Sequence, residues 1–317
     1  MLDTQKYFSN SLMTRKRIGF QRNKALLDLD KYLVNVASEF FKRGIEINWA
    51  NNNQEKQSIL DSILEKSNKK EIQSEASIDQ NQILLLKADY LISETASFIF
   101  LNNTDNFNVL FSHSDEIIIE INIDRLISGF ERINEILYTL ESINKKKDLN
   151  IYNPKEQNGI KTHIIFYENN AAEILEKKHH KTALSCIHCD LCKDVCPVIK
   201  QTNTTSKPID FIKEQDKQLN YLSFDCTLCE LCTENCPAGI KIHELIIYHR
   251  EELLNNKKIG STVRNKFSNF KKQTTNRKTM NMPGLFQKSF SEQYYSHIQN
   301  TEKENFNKQW REKKGIK

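Results

Sequence analysis

The stretch CIHCDLCKDVCP, residues 186–197, decides how this chain is read. Its spacing, C-x2-C-x2-C-x3-C-P, returns in CTLCELCTENCP, residues 226–237, and the two phrases hold all eight cysteines of the 317-residue chain. The rest of the chain limits what those thiols can do. Net charge is +5 and hydrophobic residues make up 38%. That balance is too mild to point to nucleic acid, and the apolar content suffices for a core. No run approaches the roughly 18 apolar residues of a membrane span. The opening MLDTQKYFSNSLMTRKR lacks the apolar centre of a secretory signal. A cytoplasmic chain is expected, with any membrane association through partners. Cysteines in a reducing compartment serve as ligands rather than as disulfides.

A cubane [4Fe-4S] cluster needs one thiolate for each of its four irons. Three cysteines two residues apart place their sulfurs around one concave loop, and the fourth ligand approaches from elsewhere. In the two-cluster ferredoxin arrangement the fourth cysteine of each run serves the other cluster. That assigns Cys186, Cys189, Cys192 and Cys236 to one cluster, and Cys226, Cys229, Cys232 and Cys196 to the other. Each phrase then needs its twin. Pro197 and Pro237 have no N–H and a fixed φ, so they turn the chain away after the fourth cysteine. Structural zinc favours ligands in two separated pairs and suits this spacing poorly.

Outward from the cysteines, apolar periodicity supplies the elements. Residues 1–20 read as a flexible lead-in. Leu26, Leu29, Leu33, Val36 and Phe40 recur at three- and four-residue steps, which predicts a helix over 23–43 stopped by Gly44. A strand is expected at 46–50, a helix at 54–66, and a strand–turn–strand over 84–101 around SETAS. Residues 116–123 form a further strand, 124–142 an amphipathic helix, 145–159 a loop and 162–169 another strand. Helix is also expected in 209–225 and at 242–254, with a basic tail over 260–317. The fold class is an α/β layer domain over 21–178, followed by an α-helical two-cluster ferredoxin-type domain over 179–259.

TALSCIHCDLCKDVCPV (182–198) and CTLCELCTENCPAGIKIHEL (226–245) resemble the lactate utilisation protein B family, the iron–sulfur component of bacterial L-lactate utilisation. GIEINWANNNQEKQSIL (44–60) and ADYLISETASFIFLNN (88–103) look like parts of that family's LUD domain, with Glu94 and Thr95 in its AET positions. NFNKQWREKKG (305–315) is similar to the end of family members. There are departures. Ala96 stands where the family has glycine, the segment from Trp49 to Tyr90 is shorter, and QTNTTSKPIDF replaces a glycine-rich stretch. The resemblance implies a shortened LUD domain, two [4Fe-4S] clusters and partner subunits of a lactate-oxidising complex.

His188, inside the first run, reads as a neighbour that tunes hydrogen bonds at a cluster rather than as a ligand. His179 and His180, in KKHHK, read as a solvated face or a docking patch for an acidic redox partner. Glu94 is a lone carboxylate without a catalytic partner, and Phe98, Phe100 and Phe111 read as core. The basic tail lacks a nucleic-acid module. No dinucleotide, Walker or flavin fingerprint appears. No catalytic residue is therefore named, and substrate chemistry is expected in another subunit, with this chain as a non-catalytic relay. The competing expectation is a relay or scaffold for another flavoprotein dehydrogenase or reductase.

Overall fold

The computed structural model describes residues 11–67, 71–73, 82–102, 114–143, 148–155, 160–202, 204–213 and 217–256, with positions 261, 265 and 268. The expectations for Phe111, for residues 1–10 and for the segment 305–315 lie outside these residues. So does nearly all of the tail.

Five strands form a parallel sheet in the order β1-β9-β6-β3-β2. They are β1 Glu46–Ala50, β2 Glu71–Gln73, β3 Gln82–Lys87, β6 Glu116–Asn122 and β9 Lys161–Tyr167. The central β6, EIIIEIN, is buried at every position, as a strand covered on both faces must be. Ile117, Ile119 and Ile121 face one core, with Val36 and Phe40 of helix α2 (Leu29–Lys42), Phe98 and Phe100. Phe40 stacks on Phe98 at 5.6 Å. Ile118 faces the other core, where Leu60 and Ile63 of α3 (Asn53–Ser67) meet Ile83 and Ile165. Each such large apolar side chain contributes about 1.5–3 kcal/mol through burial. The α/β class is therefore as expected, with a helical C-terminal region following it.

A second, four-stranded sheet, β7-β4-β5-β8, was not foreseen as such. Its β4 (Tyr90–Ile92) and β5 (Ser97–Asn102) are the antiparallel pair expected around SETAS. Ala96 in that turn is fully buried at φ 49°, a left-handed conformation that glycine adopts at least cost. Strand β8, Asp148–Tyr152, lies inside the expected loop. Its Leu149 and Ile151 are exposed, so no buried alternation marked it. The helix expected from residue 124 begins only at Phe130, as α4 Phe130–Ser142. A 3-10 turn, Ile123–Arg125, and β7, Leu126–Ile127, come first. Asn122 caps that turn by accepting from Asp124 N at 3.1 Å.

The lead-in is also corrected. Residues from Ser11 form helix α1, Ser11–Leu27, which breaks at Asp28 before α2. Its Ile18 is 0% exposed and its Arg22 2%. Helix α1 is ordered by what it touches later in the chain. Gly19 lies so close to Ala238 that an added Cβ would sit 2.6 Å from the Ala238 carbonyl oxygen.

By contacts, Met1–Cys196 with Ser206–Arg250 make one compact unit, and Pro197–Thr205 with Glu251–Lys317 another. The first unit holds both the layered half and all eight cysteines. In the second unit, Pro197 opens the helix Pro197–Thr202, a position where its missing N–H is harmless. Within that helix Thr202 Oγ1 donates to the Val198 carbonyl at 3.1 Å.

Gly19→Ala should lower the stability of the protein by about 1–3 kcal/mol, the usual penalty of overpacking, as read by urea unfolding. At the lower end of the parallel sheet, Glu116 accepts from Ser67 Oγ at 2.7 Å and meets Lys161 Nζ at 2.9 Å and His163 Nε2 at 2.7 Å. Burial raises the carboxyl's pKa, but these bonds outweigh it and hold the group below the ordinary glutamate range. A depressed folded pKa gives stability above the unfolded value that is lost as pH falls through the folded one. Glu116→Gln should therefore flatten the acid limb of the stability profile in urea unfolding taken at successive pH values.

Candidate metal centre

The two cysteine runs share one backbone conformation. In the first, His188 (φ 56°) and Asp190 (φ 63°) flank Cys189; in the second, Leu228 (φ 55°) and Glu230 (φ 64°) flank Cys229. Left-handed residues at alternate positions curl the chain and turn its N–H groups inward, which suits an anionic centre. Two single-turn helices follow, α6 Leu191–Asp194 and α10 Leu231–Glu234. Lys193 N donates to the Asp190 carbonyl at 2.8 Å, as Thr233 N does to Glu230 at 2.8 Å. Cys196 N and Cys236 N each close the turn at 3.2 Å.

N–H groups reach sulfur in both runs. His188 N donates to Cys186 Sγ at 3.3 Å, Leu228 N to Cys226, and Ala238 N and Ile240 N to Cys236. The thiols of the two runs also neighbour one another. Burial pushes the Cys192 thiol far up, and Cys186, Cys189, Cys236 and then Cys232 push it further. Cys236 rises to about 11 through burial and then Cys186. Cys232 rises to about 12 through burial, then Cys226, with Cys196 and Cys229 after it. For Cys226 the upward influences are burial, Cys196 and Cys229.

These features fit an iron–sulfur cluster. All eight cysteines are free, and five of them are buried. Buried thiols resist ionisation; a metal centre stabilises the thiolates that ligation requires. Among the described residues, no three His, Cys, Asp or Glu side chains are grouped to hold a single metal ion. Cys229 is exposed and Cys226 half-buried, so the second loop lies nearer solvent than the first.

Sequence patterns missed the groups that seat the first loop. Tyr90, 1% exposed, donates from its hydroxyl to the Ile187 carbonyl at 2.9 Å. Arg22 donates to the carbonyls of Leu126 at 3.0 Å, Leu184 at 3.1 Å and Asp124. Lys213 pairs with the buried Asp124 carboxylate, and Lys207 with Asp190. Arg15 reaches the Glu234 carbonyl of the second run. Arg250 donates to the carbonyls of Cys226 at 2.5 Å and Ser223 at 2.7 Å. The one available signal was Arg15, Gly19 and Arg22 at helical spacing, a small residue between two arginines on one face.

His188 is half-buried, and its buried Nε2 has no hydrogen-bond partner among the described residues. Burial, then Arg125, Lys213, Lys207 and Arg22, holds its imidazole well below the usual histidine range. His180 corrects the solvated-face expectation. It is buried, edge-on to His249 at 6.1 Å, because α11 (Ile242–Asn255) covers it. His179 is exposed and stacks on Tyr248 at 4.2 Å. Glu94 is exposed beside Gly129. The Thr95 carbonyl takes Arg43 Nη2 at 3.1 Å and Asn153 Nδ2 at 3.0 Å, a structural clamp on the turn.

Residues 182–240 match the 4Fe-4S dicluster domain family. The chain is also similar to proteins named lactate utilization protein B. It is 23% identical to that of Anoxybacillus flavithermus over 188 residues, 52% of this chain and 39% of that protein. It is 27% identical to that of Macrococcus caseolyticus over 185 residues, 51% and 38% of the two chains. The matched stretch thus covers well under half the length of these relatives. A solved DUF162 family protein from Deinococcus radiodurans aligns over 44% of this chain and 98% of its own, at 13% identity and a TM-score of 0.34, too low to argue from. No helix among the described residues is long and apolar enough to cross a membrane.

Tyr90→Phe leaves the Ile187 carbonyl without its donor. It should cost about 1–3 kcal/mol, the penalty for a buried group left unpaired, and loosen the first loop. Hydrogen exchange around Ile187 and Cys186 would report both.

Proposed function

We propose that this chain is the iron–sulfur electron-transfer component of an L-lactate oxidation complex. One [4Fe-4S] cluster would sit on Cys186, Cys189, Cys192 and Cys236, and a second on Cys226, Cys229, Cys232 and Cys196. The observation that carries this is the mixing of the two runs, in which Cys236 neighbours Cys186 and Cys196 neighbours Cys226. The likeness to lactate utilization protein B supports the pathway.

A bound cluster supplies one-electron transfer. The chain's own residues do the rest. The left-handed positions hold each loop concave, and N–H groups of His188, Leu228, Ala238 and Ile240 stabilise charge on sulfur. Tyr90, Arg22 and Lys213 exclude water behind the first loop, while Cys229 brings the second to the surface, where a redox partner can approach. Substrate oxidation belongs to a partner subunit. A relay serving another flavoprotein dehydrogenase or reductase is the second reading, favoured by the short match to the relatives.

Two measurements test this. Protein purified anaerobically with its partners, given L-lactate, should bleach in the visible and develop the EPR signals of reduced clusters. Reduction by dithionite but not by lactate would remove lactate and favour the second reading. Cys196→Ser should damage the cluster held mainly by the second run, and Cys236→Ser that held mainly by the first. Iron content should fall in both, with different EPR signals lost. Loss confined to the substituted residue's own run would overturn the ligand assignment.

A further inference from the structure

Helices α1 and α2 carry a second apolar pattern, on the side turned away from the core. Met13, Phe20, Leu27, Val34 and Phe41 recur at every seventh residue, and each is between 68% and 84% exposed. The buried side is the opposite one, with Ile18, Arg22, Val36 and Phe40. The break at Asp28 does not interrupt the row. Asp28 N donates to the Lys24 carbonyl at 3.2 Å and Tyr32 N to the Asp28 carbonyl at 3.1 Å, so the helical i to i−4 bonding runs through it. At 1.5 Å per residue the row spans about 42 Å of helix. Single apolar side chains scattered on a surface are ordinary; a continuous row marks an interaction site.

The row is one residue wide, and its edges differ. Residues three before or four after its members lie along one edge. These are Arg17, Lys24 and Lys31, all exposed. The other edge carries Lys16, Asn23 and Asp30, also exposed. Acidic groups answer the first edge only in part. Glu135 of α4 meets Arg17 at 3.7 Å, and Asp28 meets Lys31 at 3.2 Å, and exposed pairs of this kind hold weakly. Lys16 and Lys24 have no ion-pair partner among the described residues. At the far end of α2, Glu39 serves both Lys42 at 2.8 Å and Arg43 at 3.6 Å. The edge of Arg17, Lys24 and Lys31 has no acid of its own.

We infer that this row docks an amphipathic α-helix of a partner protein, one with an apolar seam of seven-residue spacing and carboxylates along the side that meets Arg17, Lys24 and Lys31. A strict seven-residue row drifts about 20° per heptad round a straight helix. A partner helix that follows it crosses at the shallow angle of coiled-coil packing, roughly +20°. A lipid surface takes a broad apolar face, and seating this narrow row in one would submerge Asn23 and Asp30. A second copy of the chain would bring like charges together: run antiparallel about Leu27, Lys24 meets Lys31, and run parallel, Arg17 meets Lys16. Helix α1 holds both cysteine segments from its other side, through Arg22 at the Leu184 carbonyl and Arg15 at the Glu234 carbonyl. The docked helix is then separated from those anchors by one helix, about 10 Å thick. None of this depends on which cluster each cysteine ligates, or on lactate.

The probe is a fluorescein-labelled synthetic peptide of four heptads, with leucine at a and d and glutamate at e and g; its twin has lysine at e and g. Each is titrated with anaerobically purified holoprotein and followed by anisotropy. The glutamate peptide should bind and the lysine peptide should not. Phe20→Ser with Phe41→Ser should weaken binding about tenfold or more, with iron content unchanged. Lys24→Glu with Lys31→Glu should transfer binding to the lysine peptide, a gain that misfolding cannot produce. Binding of neither peptide, equal binding of both, or binding indifferent to Phe20 and Phe41 would overturn the inference. So would a dimer in sedimentation, or flotation with phosphatidylglycerol vesicles, that is lost in the Phe20→Ser, Phe41→Ser variant while neither peptide binds; the row would then belong to a second copy or to lipid. Clusters reduced by lactate without peptide binding remove only this surface, and peptide binding to protein without clusters removes only the relay.

Discussion

A buried guanidinium ties this molecule together. Arg22 sits among backbone carbonyls from two parts of the chain, the turn after β6 and the turn before the first cysteine run. A charge taken this far out of water is tolerable only when its donors are met. The carbonyls of Asp124, Leu126 and Leu184 meet the terminal Nη donors, and so their positions are set by α1; Nε is left without a partner among the described residues. Arg125 and Asp124, next to each other in sequence, extend the same polar knot to Asp89 and Lys213. The first cysteine loop is thereby tied to the sheet by this polar knot, within one compact unit.

The sheet and the loops divide the physical work. Apolar packing on both faces of β6 provides rigidity and no chemistry. Polar groups appear where that packing ends: Glu116 and His163 at the amino ends, Lys87, Glu120 and Tyr167 at the carboxyl ends. The loops invert this pattern. Five of their eight thiols are buried, yet N–H groups and cations stand among their neighbours. A negatively charged centre is what such surroundings favour.

Much of this was legible in the sequence, and for physical reasons. The cysteine spacing is dictated by how four sulfurs surround one object, so it survives any scaffold. The strand at 116–122 was legible because burial on both faces demands a largely apolar run, and that at 46–50, EINWA, because its residues alternate. Strand β8 was not, because Leu149 and Ile151 at the sheet edge bury little. Helix α1 was not, because its order comes from partners near residues 184 and 234–238 rather than from a local apolar stripe. His180 misled for the same reason: KKHHK has the composition of a wet surface, and only the later α11 covers it.

The partners of α1 carry a consequence for the order of folding. Arg15 and Glu234 are 219 residues apart, and Arg22 and Leu184 162 apart. During synthesis α1 emerges long before the segment it must grip. Contacts of such span form late, and domains assemble as the chain is delivered. Until Leu184 has left the ribosome, one carbonyl that takes the Arg22 donors is missing, and until Ala238 has, Gly19 lacks its close neighbour. The helix made among the earliest is thus among the last to dock. The nascent chain waits with its clasp open until the second cysteine run arrives to close it.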